Sequence, residues 1–318
     1  MPVLDMAASD AKLPVEVAVS PAVELLLSLA ASGMEDRGGF EVAALESLID
    51  RADDRIEELR TWFLEPSAKT PIRLVGLVTE VGLSAEIDQF IDHVRGIDPG
   101  RLVDVLTEHE GEDDARIADR DPAEVRADVV ELLEGWAGLA AELVDEGMPA
   151  VRKDADARRA RIEEMTADEL VEEATNGVKL SRHPGLERVV LFPSYVFRPW
   201  VLLSEHAGTR VICYPVADEF LEHEAAAPPA RLVKLFKALG DEGRLKLLRR
   251  LAAGPMNLSE ATELLGVAKS TAHHHLAILR QAGLVLVDPD DGTYAFRQQL
   301  VPEAADLLQD YLEPSSSD

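Results

Sequence analysis

The run from Asn257 to Phe296 constrains this chain more than any other stretch. Asn257-Leu-Ser-Glu260 reads as a capping box: the first side chain accepts from a backbone N–H three residues on, and the glutamate reaches back. It opens a short helix that Gly266 ends, and Gly266-Val-Ala268 is a tight turn. From Lys269 the residues follow helical periodicity, with Ala272, Leu276 and Leu279 on one apolar stripe and Gly283 closing the end. Ser270, His274 and Gln281 fall on the opposite face, flanked by Thr271 and His273. Leu284–Val287 and Thr293–Phe296, joined through Asp291-Gly292, read as a two-stranded hairpin. Helix, turn, helix and hairpin in this order make a winged helix-turn-helix. A helix with one packed stripe and short polar donors at its N-terminal end suits insertion into a DNA major groove.

Three runs together carry a resemblance: Leu239-Gly-Asp-Glu-Gly-Arg-Leu-Lys-Leu-Leu-Arg-Arg-Leu251, Ser270-Thr-Ala-His-His-His-Leu276 and Leu279-Arg-Gln-Ala-Gly-Leu-Val285. The chain here resembles the ArsR-type bacterial transcriptional regulators, over about residues 229–312. The resemblance implies a sequence-specific DNA-binding regulator, a repressor by preference, that acts as a homodimer on double-stranded DNA. It also implies that the first and last helices of the module form the dimer interface. Leu232, Leu235, Phe236 and Leu239 give one a stripe, and Val301, Ala304, Leu308 and Leu312 the other. One departure is Ala268, which stands where the family usually has a helix-capping residue.

Within this module Lys269, Ser270 and Thr271 fall in the first turn of the second helix, where charge, hydroxyls and backbone N–H groups meet a phosphate. His273 and His274 are expected to contact DNA, whereas His275 lies at the edge of the packed face and reads as a structural histidine. The hairpin tip is acidic, with Asp288, Asp290 and Asp291; Arg297 is the nearby cation that offsets them. An alternative reading uses the winged helix for protein contact or dimerisation without specific DNA binding.

The rest of the 318 residues argues for a second, larger domain. The expected fold is mostly α with small β elements: a helical domain containing a small antiparallel sheet, then the winged helix. The boundaries read as a tail at 1–13, a helical domain at 14–223, a linker at 224–229, the DNA-binding module at 230–312 and a second tail at 313–318. Val15–Val19 reads as a strand, Ser20-Pro21 as a helix start, and Pro122 as the start of a helix to about Glu146, with Val151–Met165 a separate exposed helix. Leu186–Pro193 and Thr209–Pro215 are β-rich. Net charge is −28, yet residues 229–300 hold 10 Lys/Arg against 7 Asp/Glu, a mildly basic island in an acidic protein.

Other chemistry finds little footing. His223-Glu224 begins like a zinc-protease motif, but Ala227 stands where its second histidine belongs. There is no glycine-rich phosphate loop and no nucleophile elbow, so the expectation is a non-enzyme without cofactors. The segment Asn257–Leu265 has no cysteine where thiolate sensors of the resembled family carry a pair. Pro302–Leu312 offers acids but no histidine, and consecutive helical histidines cannot converge on one ion. No metal site is expected, and the signal is read as non-metal. Tyr195, Phe197 and Trp200 are the candidates for lining a pocket for a small-molecule effector. One cysteine, no secretion signal and no apolar run near ~20 residues point to a cytoplasmic protein without a membrane partner.

Overall fold

The computed structural model describes residues 13–34, 44–64, 69–107, 112–221, 228–297 and 300–312. Both expected tails, apart from Leu13, and most of the expected linker lie outside the described residues. The chain divides into two compact units: 1–167 with 184–214, and 168–183 with 215–318.

In the first unit, strand β1 (Val15–Val17) leads into helix α1 (Pro21–Ser32). Ser20 caps α1 through its hydroxyl and Pro21 occupies the first turn, where its missing N–H is harmless. Every residue of α1 except Pro21 is buried, Glu24, Ser28 and Ser32 among them. Around it run α2 (Ala44–Asp50), α3 (Asp54–Leu64), α4 (Lys69–Val81), α5 (Ile87–Gly96), α6 (Pro99–Leu106), α7 (Glu112–Ala118) and α8 (Pro122–Arg159). The indole N–H of Trp136, fully buried on α8, donates to Ser28 Oγ on α1 at 2.9 Å, so the largest core side chain satisfies its one polar atom.

Helix α8 is one element of 38 residues where the sequence reads as two. Pro149 lies inside it and removes one helical hydrogen bond, a cost of about 3 kcal/mol. Packing explains why the helix continues: Val144, Met148, Val151 and Ala155 are buried on both sides of the proline.

The sheet of this unit is β2 (Arg188–Ser194), β3 (Leu202–His206) and β4 (Thr209–Pro215) joined by β1, in the order β1-β2-β4-β3. It corrects the expected antiparallel sheet. β3 and β4 form an antiparallel hairpin, but β1 pairs parallel to β2, with Val15 opposite Val189. A parallel pair needs a long crossover, and here everything from residue 18 to residue 187 supplies it. No helix among the described residues is long and apolar enough to cross a membrane.

The second unit holds α9 (Ala167–Ala174), α10 (Ala230–Leu239), α11 (Glu242–Leu251), β5 (Met256–Asn257), α12 (Leu258–Leu265), α13 (Lys269–Gln281), β6 (Val285–Asp288), β7 (Thr293–Phe296) and α14 (Leu300–Leu312). Its core gathers Leu235, Leu247, Leu251, Leu276, Leu279 and Tyr294. The expected hairpin is part of a three-stranded sheet, β5-β7-β6. Segment 168–183, which precedes the module by many residues in the chain, clusters with it.

Candidate nucleic-acid interface

The interface is built on α12 and α13. Asn257 Oδ1 accepts from Glu260 N at 3.0 Å while Asn257 N donates to Glu260 Oε2 at 2.9 Å, a reciprocal cap. Gly266 ends α12 at φ 66°, a left-handed geometry that glycine adopts without a Cβ clash. The turn delivers α13 with Ala272, Leu276 and Leu279 fully buried. That stripe fixes the helix's rotation, and rotation decides which residues face outward. Lys269, Ser270, Thr271 and His273 are exposed, and His274 is half-buried with its Nδ1 shielded from solvent.

Ala268, the N-cap of α13, offers no side-chain hydrogen bond. The first-turn N–H groups therefore have no side-chain cap, beside the exposed hydroxyls of Ser270 and Thr271 and the Lys269 ammonium. Positive helix-dipole ends with open donors bind phosphate oxygens. His275 sits at the packed edge, its Nδ1 3.6 Å from Asp241 Oδ1, the carboxylate that caps α11. Burial lowers the His275 pKa, against the pull of Asp241. Although His273 is exposed as a residue, desolvation of its ring by the surrounding protein lowers the imidazole pKa, followed by the nearby charges of Arg280 and His274.

Arg280 faces the other way. It is buried, its Nη1 donates to Thr175 O at 2.6 Å, and burial pulls its pKa down to about 10. Arg297, expected beside the duplex, has Nη2 2.8 Å from Glu172 Oε1 on α9. The wing turn closes on Gly292 at φ 64° with Asp290 and Asp291 exposed, and Asp288 lies 3.3 Å from Lys179 Nζ. The structure thus brings Lys269, Ser270, Thr271 and His273 onto one exposed turn and places Arg297 apart from them.

Sequence reasoning missed the contribution of residues 172–179. An Asn176-Gly177 pair after a helical run signals a turn, which places the helix stop but not what the turn packs on.

Tyr195, Phe197 and Trp200 lie in the first unit. Phe197 is buried; Tyr195 and Trp200 are half-buried. Tyr195 donates its hydroxyl to Glu146 Oε1 at 2.9 Å and carries the Arg198 guanidinium over its ring. A groove of about 960 Å³ in this unit runs between α5 and α8, lined by Ile87, Ile91, Val144 and Met148 with Asp92 and Arg95 at its polar side; none of the three aromatics lines it. Among the described residues no group of three His, Cys, Asp or Glu side chains is arranged to hold a metal ion. Cys213 is buried, and burial pushes its thiol pKa up.

A capped helix, a tight left-handed turn, a second helix with an exposed polar first turn and a small antiparallel wing define a winged helix-turn-helix DNA-binding transcriptional regulator. Residues 241–286 match the family model described as bacterial regulatory protein, arsR family. An uncharacterised HTH-type transcriptional regulator of Bacillus subtilis (strain 168), YceK, is 37% identical over 81 residues, 25% of this chain and 76% of that protein. The HTH-type transcriptional regulator NmtR of Mycobacterium tuberculosis (strain H37Rv) is 34% identical over 68 residues, 21% of this chain and 54% of that protein. The chain belongs to the ArsR family of bacterial HTH-type regulators. No solved structure matches the chain.

Proposed function

We propose that this regulator is a homodimeric repressor that reads an operator through the first turn of α13 and answers to a non-metal signal received by the first unit. The observation that carries the reading is the turn itself. Lys269, Ser270 and Thr271 are exposed on a helix end without a side-chain cap, on a helix whose rotation is fixed by three fully buried residues. In this reading these residues hold phosphates, and His273 and His274 follow them into the groove.

The dimer rests on apolar surface that the second unit leaves open. Val233 and Phe236 on α10 are 46% and 43% exposed, and Tyr311 and Leu312 on α14 are 47% and 68% exposed. Four large apolar side chains on two helices of a small domain suit a self-complementary interface. A non-metal signal suits a chain whose one cysteine is buried and whose α12 and α14 offer no thiolate or imidazole ligands. The first unit is read as a sensing and assembly domain rather than an enzyme, with Tyr195, Phe197 and Trp200 as candidates for effector contact, and the protein as cytoplasmic.

Selection of duplexes by the purified full chain from a random pool tests the reading. A two-fold dimer should enrich a near-palindromic site with half-sites about one turn, ~34 Å, or a multiple apart. Failure to prefer any duplex at low salt would instead favour the winged helix as a protein-contact module.

A further inference from the structure

Segment 168–183 comes from the middle of the chain, yet it is built into the reading head. After helix α9 the chain turns at Asn176 and Gly177, at φ 52° and 117°. The turn places three backbone groups and one side chain against α13 and the wing. Thr175 O accepts from the buried Arg280 of α13, and Asn176 Nδ2 donates to Gln281 O, the last residue of α13, at 2.5 Å. Val287 N donates to Gly177 O at 2.7 Å, and Lys179 N donates to Val287 O at 2.9 Å. Residues 177–179 thus add a parallel segment to the free edge of β6, with Val178 opposite Val287. Two ion pairs close the contact, Glu172 to Arg297 and Lys179 to Asp288.

These contacts lie at the C-terminal end of α13 and along the wing, away from the exposed first turn. They leave the reading residues open while fixing the helix's far end and the wing's edge. Buried Arg280 has strong reason to keep this partner, because an unpaired buried guanidinium is costly. Lys179 also offsets part of the wing's negative charge by pairing with Asp288, while the Thr293 hydrogen bonds, and after them Lys179, hold the Asp291 carboxyl below its ordinary pKa. Both ends of the segment continue directly into the first unit, at Ala167 and Pro184.

We propose that residues 168–183 are a regulatory strap: docked on α13 and β6 they hold the reading head in its DNA-binding geometry, and a signal in the first unit releases DNA by drawing the strap away. The strap thus deepens the DNA-binding reading of α13 and rests on it. By reciprocity, DNA must favour the docked strap as much as the docked strap favours DNA.

The test uses the full chain and the duplex it selects. Amide exchange at Lys179 and Val287 should slow on adding that duplex. Lys179→Pro removes the N–H that bonds Val287 O, and should weaken duplex binding by at least about fivefold. Lys179→Ala, which removes the charge and keeps the N–H, should weaken it less. Gly177→Val puts a side chain where a Cβ already meets Val285 O at 2.8 Å and should act like the proline variant; if it fails to fold, the proline variant carries the test alone. Duplex binding by Lys179→Pro equal to wild type, or no weaker than by Lys179→Ala, overturns the strap and leaves the DNA reading standing. A wild-type chain that enriches no duplex overturns both.

Discussion

Glu24 is fully buried on α1, where its Oε2 accepts from the backbone N–H groups of Tyr195 and Val196 at 3.1 Å each. Burial raises its pKa from 4.5 to about 7, against the pull of Ser194, the two N–H groups and Arg198. A carboxyl raised in the folded state binds more protons folded than unfolded between those two values. Its stabilising contribution is therefore full below 4.5 and lost as pH rises through about 7. Glu24→Gln keeps an acceptor for the two N–H groups and removes the charge. Its unfolding free energy should match wild type near pH 5 and exceed it at pH 8, by up to about 3 kcal/mol. A variant equally destabilised at both pH values would show that the carboxylate is needed as a charge. The imidazoles of α13 give a second pH prediction of opposite use. Burial holds the His273 imidazole below its ordinary pKa, and a phosphate beside it would favour the protonated form, so affinity should rise as pH falls below the ordinary imidazole range. Replacing His273 and His274 by Ala should weaken binding and flatten that dependence. Replacing His275 should instead lower the unfolding free energy, by ~1–3 kcal/mol, because Asp241 loses its partner.

At the scale of elements, α8 shows how packing overrides a local signal. Pro149 is exposed, so its ring serves no buried contact, while its missing N–H interrupts the helix. Pro149→Ala should raise stability by about 1–3 kcal/mol in chemical denaturation; an unchanged midpoint would mean the interruption is already relaxed. Gly147, two residues before it, has the opposite constraint, because an added Cβ would lie 2.6 Å from Tyr195 Cβ and crowd α8 off the bend that follows β2. The helix-turn-helix was legible because its instructions are local: the Asn257–Glu260 box, the Gly266 turn, the apolar stripe and the Asp291-Gly292 turn each lie within a few residues. The parallel pairing of Val15–Val17 with β2 was not legible, since nothing in three residues names a partner on the far side of nine described helices. The strap was hidden for the same reason. Asn176-Gly177 marks a turn, but Arg280 and Gln281, which that turn meets, are 105 residues from Thr175 and Asn176. Arg297 read as the cation offsetting the wing's acids because Glu172, its partner, is 125 residues away.

For the whole molecule, the charge of −28 sets conditions on DNA binding. The acids repel phosphate and should suppress non-specific binding, leaving the few cations of the second unit to supply the salt-dependent part of the affinity. Each phosphate contact adds about one to the slope of log affinity against log salt, so Lys269→Ala should lower that slope by about one for each protomer. The apolar residues left open on α10 and α14 make a further prediction. Phe236→Glu should reduce the chain to a monomer in sedimentation and weaken duplex binding with it, since a monomer engages one half-site. A dimer that survives this change would place its interface elsewhere.

The central claim is that the first turn of α13 meets DNA, and binding of the selected duplex to the Lys269→Ala, Ser270→Ala, Thr271→Ala triple variant tests it most directly. All three side chains are exposed, so the fold should be unchanged, as judged by an unaltered melting temperature. Affinity should fall at least about tenfold, equivalent to ~1.4 kcal/mol, with the melting temperature preserved. Wild-type affinity in the triple variant would contradict it.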